Sequence, residues 1–515
     1  MILLPLGRTD GIGASCFFLN LAGTGLLLDA GTDPRASGTE ALPQFDALPA
    51  GSYADHALIT HAHRDHLGAA PLLPDAFPHV HVHMTPPTRR LAKLLLPASA
   101  RLQKRKYEEG SADNKPLFTE DKVDQQSALY LAHDLKNPFD VTGMQGARSV
   151  EAQFFGAGHI LGSAGVLVEV ERDGNSSSED SNPFRLFYTS DTNASGQTIL
   201  PPASYPEPPL DTLVLECTLG DDPDAAATNR ERETDRFAET LAETLRRGGT
   251  AVVPVFAMGR AQEILALVGR FKQRGRIPEE TPVYTAGMMR GIADIYDETR
   301  HASPRRDPDF RVFGVDQESV PRGDKRKAEA LDGPGVFVVT SGMMFEPTLS
   351  NRLARRVVDN EDDAVLLVGF PGEGTPAGRL LDATGNGVSE VTLNAERRSA
   401  KGYLADGTPF EFGPLSDEEW EERSRRSGRE SAGDAGAAGR GGVTGGLTIF
   451  ERRFPIFEWR SRSCPRETTR RRWSGQPSPG LNIAGGFALK RSARLPLKTT
   501  PPRCPLPPPR PNRNC

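Results

Sequence analysis

At 515 residues and a net charge of −6, the chain has room for two or three ordinary domains and is no basic nucleic-acid sponge. Apolar and charged fractions of 37% and 25% fit a globular protein, and no apolar run nears the ~20 residues that span a bilayer, which argues against a membrane protein. Cys16, Cys217, Cys464, Cys504 and Cys515 show no CxxC spacing or even framework, which favours a reducing, cytoplasmic setting.

The N-terminal MILLPLGRTDG lacks a charged lead and a long apolar stretch, so it reads as a first strand, not a signal peptide. Up to residue 205, GLLLDAG, HALITHAH, VLVEVE and RLFYTSD each read as a strand with a polar, chemistry-capable residue at its C-terminal end. The stretch ERDGNSSSEDSNP at 171–183 is a polar hairpin loop between two of them. Proline-rich LPPASYPEPP at 200–209 marks a junction, and residues 206–385 then alternate strand and helix. TLVLE and AVVPVF read as strands. Phe237, Leu241 and Leu245 share one helix face ended by Gly248 and Gly249, and a second helix spans about Ala261 to Phe271. GVFVVTSG and AVLLVGF are apolar enough for strands buried on both faces of a parallel sheet. Residues 386–420 are a short return segment. From 421 to 515 Arg, Gly, Pro and Ser dominate, a composition that buries too little surface to offset ordering entropy and is expected to be disordered.

The strongest chemical signal is His61-Ala-His63-Arg-Asp65-His66, directly after the apolar ALIT. Four ligand-type side chains on a loop leaving a strand can face one point, and imidazole nitrogen with carboxylate oxygen suits zinc, with manganese or iron as substitutes. A polar turn that merely happens to hold three histidines is the alternative.

HAHRDH resembles the second motif of the metallo-β-lactamase superfamily, and the others follow in order: Asp29 ending LLLD, His159 in GAGHILGSAG and Asp191 in YTSDTN. The resemblance implies an αββα sandwich. It assigns His61, His63 and His159 to one metal, Asp65 and His66 to another, Asp191 as the bridge and Asp29 as a supporting acid. Two Zn2+ ions, with Mn2+ as a substitute, would share a hydroxide and brace the attacking and leaving oxygens of a phosphodiester.

The middle section resembles the β-CASP insertion of RNA- and DNA-processing nucleases such as ribonuclease J and the polyadenylation-factor nucleases. ECTLGD at 216–221, with Glu216 as the acid, PVFAMGRAQEIL at 254–265, SGMMFEPTLSNRLA at 341–354 and VGFPGEGTPAGRLL at 368–381 carry the likeness. It implies single-stranded RNA in preference to DNA, hydrolysed by an endonuclease or 5′-exonuclease, and it suggests a homodimer. Arg260 is a candidate phosphate contact, with a salt bridge to a neighbouring acid as its alternative. RLQKRK at 101–106 either steers a polyanion or is a solvated helix face.

The family has two further histidines after the insertion, a general acid and a ligand to the second metal, whereas here none follows His301. Glu216 would then lack its partner acid, and an edge strand of the first domain would be left uncovered. A shifted reading frame, a truncation with a new basic tail, or an inactive RNA-binding scaffold would each account for this. A small-molecule metallo-hydrolase such as a lactonase or thioesterase is a competing enzyme class, which the GRAQE-bearing insertion argues against.

Several residues imitate functional ones. His79, His81 and His83 alternate along PHVHVHMT and share a strand face, and they read as an ordinary strand. His56, His133 and His301 read as structural, and Cys217 as a buried small apolar residue. Trp420, Trp459 and Trp473 all fall in the anomalous end and build no stacking platform.

Overall fold

Leu26, Leu27 and Leu28 are all fully buried, which successive strand residues achieve only when both faces of their sheet are covered. The computed structural model supplies that cover. It describes residues 1–385, apart from 10, 12, 111, 173–181, 219, 221–228, 322–329, 347, 359, 370 and 373, together with four short C-terminal strands at 400–403, 409–412, 483–484 and 487–491.

The first sheet has six strands in chain order: β1 (Ile2–Pro5), β2 (Phe17–Leu21), β3 (Thr24–Leu28), β4 (His56–Leu58), β5 (His81–Met84) and β6 (Leu131–Ala132). β1 to β3 form antiparallel hairpins, and β3 to β6 run parallel. Helices α1 (Arg64–Leu67), α2 (Leu73–Ala76), α3 (Pro86–Glu108) and α4 (Glu120–Ala128) fall between these strands. The second sheet contains β7 (Phe139–Asp140), β8 (Val150–Gly156), β9 (Ala164–Val170), β10 (Phe184–Tyr188) and β11 (Thr212–Glu216). Leu19, Leu26 and Leu28 of one sheet pack against Phe154, Val166 and Tyr188 of the other.

β11 is the TLVLE strand expected in the second domain. It pairs in parallel with β10, from Leu186–Thr212 to Tyr188–Val214, and so stands in the second sheet. The apolar pattern reveals a strand but not its neighbour.

The second domain alternates α5 (Arg230–Arg246), β12 (Thr250–Pro254), α6 (Arg260–Gln273), β13 (Val283–Thr285), α7 (Met288–Glu298), β14 (Glu318–Ser319), β15 (Gly335–Val339), α8 (Leu349–Val357), β16 (Ala364–Val365) and α9 (Pro376–Gly385). Its sheet is parallel throughout, in the order β14-β13-β15-β12-β16. Phe237, Leu241 and Leu245 of α5 are buried against it, whereas AVLLVGF gives only the two-residue edge strand β16, half-buried instead of covered on both faces. Ile160, Leu161, Ile199 and Leu200 of the first domain share one core with Ala261, Ile264 and Leu265 of the second.

Within 386–420, β17 (Ala400–Tyr403) and β18 (Pro409–Phe412) pair with each other and join neither sandwich sheet. β19 (Ile483–Ala484) and β20 (Phe487–Arg491) extend the second sheet, with β20 antiparallel to β11 and Phe487 opposite Glu216. The outer edge of β11 is therefore covered. The rest of the 421–515 tail and residues 173–181 of the polar loop lie outside the described residues. No described helix is long and apolar enough to cross a membrane.

Gly31 shows how closely the sequence fits this frame: a Cβ there would sit 1.7 Å from the Asp65 carbonyl oxygen. Gly31→Ala is expected to destabilise the protein by about 1–3 kcal/mol in urea unfolding, as overpacking does. Gly333→Ala, whose Cβ would meet nothing within 4 Å, serves as the control and should change little.

Candidate metal centre

The HAHRDH turn leaves the end of β4 under tight backbone control. Ser15, Ala30 and Thr32 donate their N–H groups to the carbonyls of Asp65, His66 and Arg64 at 2.7, 2.9 and 3.0 Å. α1 is a single turn between these anchors, carrying Asp65 and His66. His159 lies on the 157–163 loop between β8 and β9, where the Ser163 hydroxyl accepts from the N–H groups of His159 and Ile160, both at 3.1 Å. Asp191 follows β10.

These segments bring the candidate ligands together. One ligand atom each from His61, His63, His159 and Asp191 lies within 4.8 Å of the others. His61 Nε2 is 3.1 Å and His159 Nε2 3.2 Å from His63 Nδ1, while Asp191 Oδ2 is 3.9 and 3.5 Å from His61 Nε2 and His159 Nε2. The other oxygen, Asp191 Oδ1, lies 3.5 Å from His66 Nε2, which is 3.8 Å from Asp65 Oδ2. The Asp191 carboxylate thus stands between two ligand groups.

Asp29 supports this arrangement from below. Fully buried, its Oδ2 accepts from His66 Nδ1 at 2.8 Å and Tyr188 Oη at 2.9 Å, and its Oδ1 accepts from Thr60 N and Oγ1, both at 2.8 Å. Because His66 donates through Nδ1, its Nε2 is left to face the cluster. Thr60 Oγ1 also lies 3.1 Å from His61 Nδ1, which directs the Nε2 of that ring inward too. Thr60 and Tyr188 were not legible as functional, although both stand within three residues of a motif residue.

Burial, then repulsion from His66, His63 and His159, holds His61 well below the usual imidazole range. Burial and the neighbouring His159 push His63 down to about 4. His159 falls to about 4 through burial and His66, with Arg260 adding to the effect. For His66 burial acts downward, but the carboxylates of Asp191, Asp29 and Asp65 outweigh it and raise the ring to about 10. Burial raises Asp191, partly offset by His66. Three neutral imidazoles and a cluster of carboxylates make a donor set for a borderline cation such as zinc or manganese.

The remaining candidates are placed differently. Glu216 ends β11, two residues beyond the Tyr188–Val214 pair, and its carboxylate accepts from Thr218 N at 2.9 Å and Thr218 Oγ1 at 2.6 Å. Arg260 opens α6, near enough to His159 to disfavour its charge and within the field of Glu263. Cys217 is half-exposed, not buried, since it follows the end of its strand. The 101–106 run lies on α3, where Arg101, Lys104 and Arg105 pair with Glu120, Glu108 and Glu109.

The decoy histidines acquire partners from strand pairing. His56 Nδ1 is 2.9 Å from His83 Nε2, and His83 Nδ1 is 2.9 Å from His133 Nε2. Burial, with His56, His133 and His81 nearby, pushes His83 down to about 2. His81 is exposed, and His79 precedes the strand.

Residues 9–170 match the model of the metallo-beta-lactamase superfamily, and residues 261–380 that of the Beta-Casp domain. The chain belongs to the β-CASP branch of the metallo-β-lactamase superfamily. Among its relatives are transcription termination factor FttA of Methanococcus maripaludis, 29% identical over 80% of this chain and 63% of that protein, and endoribonuclease ysh1 of Aspergillus fumigatus, 28% identical over 73% and 43%. An RNase J-like protein of Methanocaldococcus jannaschii is 29% identical over 76% and 82%. The chain thus spans less than two thirds of the length of the first two.

The pH dependence of the metal-free β-CASP protein follows from the imidazoles. Between about pH 6.5 and 4 the unfolded chain has protonated its equivalents of His63 and His159 while the folded chain has not, so stability falls with pH through that window. His66 acts oppositely: its stabilisation is complete below 6.5 and is lost as pH rises toward about 10. Melting curves of chelator-treated protein should therefore peak near neutrality, and a constant melting temperature from pH 4 to 6.5 would contradict this assignment. Asp29→Ala, which strips His66 and Tyr188 of their acceptor, is expected to weaken zinc binding roughly 10–100-fold in a competition titration.

Proposed function

We propose that this chain is a metal-dependent ribonuclease that hydrolyses phosphodiester bonds in single-stranded RNA at the cluster formed by His61, His63, Asp65, His66, His159 and Asp191. The observation that carries the reading is the division of the Asp191 carboxylate, with one oxygen toward His61 and His159 and the other toward His66. Such a division suits a pair of cations better than one. His61, His63 and His159 would hold the first, Asp65 and His66 the second, with Asp191 between. Zinc or manganese bound there would supply activated water and neutralise phosphate charge.

The chain's own groups do the rest. Asp29 keeps His66 oriented, Thr60 does the same for His61, and Arg260, beside His159, would meet a phosphate of the strand. Glu216 is kept as a candidate for the proton-transfer side of the reaction. RNA as substrate is supported by the β-CASP match and by the names of the relatives, one an endoribonuclease and one RNase J-like. The free thiols of Cys16 and Cys217 fit a reducing cytoplasm. A second reading, a non-catalytic RNA-binding subunit, is favoured by one observation: no histidine follows His301.

Purified full-length protein incubated with labelled single-stranded RNA, single-stranded DNA and a thioester, with zinc or manganese, separates the readings. RNA cleavage is expected, falling at least ~100-fold in Asp65→Ala, since loss of a ligand should exceed the cost of losing its supporting partner. RNA bound but uncut would favour the scaffold, and turnover of the thioester alone would sink the nuclease.

A further inference from the structure

His159 differs from the other candidate ligands in what holds it. His61, His63, Asp65 and His66 sit on a turn fixed by residues 15 to 32 of their own domain. The His159 loop is gripped from both domains. The Leu161 N–H donates to the Tyr296 hydroxyl on α7 at 3.2 Å. Gly259, which caps α6, lies so near that a Cβ there would be 2.6 Å from the Ile160 side chain.

The second grip passes through the connector after Asp191. Gln197 Nε2 donates to the carbonyls of Gly158 and His159 at 2.9 and 2.5 Å. The next two residues are bound by Glu263 of α6, which accepts from Thr198 N at 2.6 Å and Ile199 N at 3.2 Å. Arg230 closes on the same carboxylate, while Arg306 takes the carbonyls of Gln197 at 3.0 Å and Ile199 at 2.9 Å. Glu263 is almost fully buried, a costly place for a carboxylate unless its bonds are needed.

We propose that Tyr296 and Glu263 are positioning residues for His159, so that docking of the β-CASP domain completes the metal centre. The proposal rests on the metal-binding reading above. Tyr296 acts directly on the loop, and Glu263 acts through Thr198, Ile199 and Gln197. When the domains part, His159 loses its outer supports while the HAHRDH ligands keep theirs. Separation of the domains and loosening of the metal are therefore one motion.

The test is a zinc-affinity cycle on the full chain, using a chromophoric chelator as competitor. Tyr296→Phe and Glu263→Gln are each expected to weaken zinc binding roughly 10-fold, as loss of a ligand's supporting bond does. Arg90→Ala, which breaks an exposed pair with Glu298 on α7 but touches no part of the loop, should leave affinity unchanged. In a His159→Ala background, Tyr296→Phe should have no further effect. Amide exchange in metal-free Tyr296→Phe should quicken at residues 157–163 with the rest of the protein unaltered. Unchanged affinity in Tyr296→Phe, or equal weakening with and without His159, overturns the proposal. A wild-type protein that takes up no zinc sinks the metal reading along with it. An intact cycle in a protein that leaves RNA uncut supports the proposal and sinks only the nuclease reading.

Discussion

The architecture depends on one buried carboxylate. Asp29 ends β3 with a φ of 65°, a left-handed backbone that few residues other than glycine adopt. That twist turns its side chain into the dry space between the sheets, where it accepts from Thr60 behind β4, His66 on α1 and Tyr188 at the end of β10. Both sheets and the ligand turn are thereby referred to a single pair of oxygens. Burial of a charge is tolerated because each lone pair finds a donor. Removing the carboxylate would strand four donor groups on three different segments.

Above that carboxylate the electrostatics are unresolved by the protein alone. Four imidazoles meet at close range, three of them held neutral by burial and mutual repulsion while the fourth is drawn toward the charged form by surrounding carboxylates. The polypeptide tolerates this crowding because backbone bonds from Ser15, Ala30 and Thr32 fix the turn regardless of charge. A site rigid in backbone but frustrated in charge is what cation binding requires, since the protein has already met the cost of assembly. The second domain adds, through one ligand loop, a hold on the same centre.

Much of this was legible in the sequence, for identifiable reasons. HAHRDH, LLLDAG, GAGHILGSAG and YTSDTN each sit at a strand end, so chain order and residue type together pointed to one site. Local periodicity found β11 but could not assign it, because sheet membership is decided by pairing with β10, a long-range matter. AVLLVGF reads as a longer strand for a similar reason: Leu366 and Val368 are buried, yet only Ala364 and Val365 stand in the ladder. Glu263 lies inside GRAQE, beside the more conspicuous Arg260. A lone acid followed by ILALVG on a helix is itself the signal of a buried, bonded carboxylate. Of the decoys, His56 and His133 gained partners only once β4 lay beside β5 and β5 beside β6.

That imidazole trio has a consequence of its own. Each of its two contacts, His56 Nδ1 to His83 Nε2 and His83 Nδ1 to His133 Nε2, needs one ring to donate and its neighbour to accept. His83, held neutral by burial and its neighbours, carries one ring proton, so it donates to one partner and accepts from the other. The three rings are thus polarised in one sense, and a reversal at His83 requires both neighbours to reverse. Losing any one ring would leave its neighbours' ring nitrogens without that partner, so the three stand or fall together.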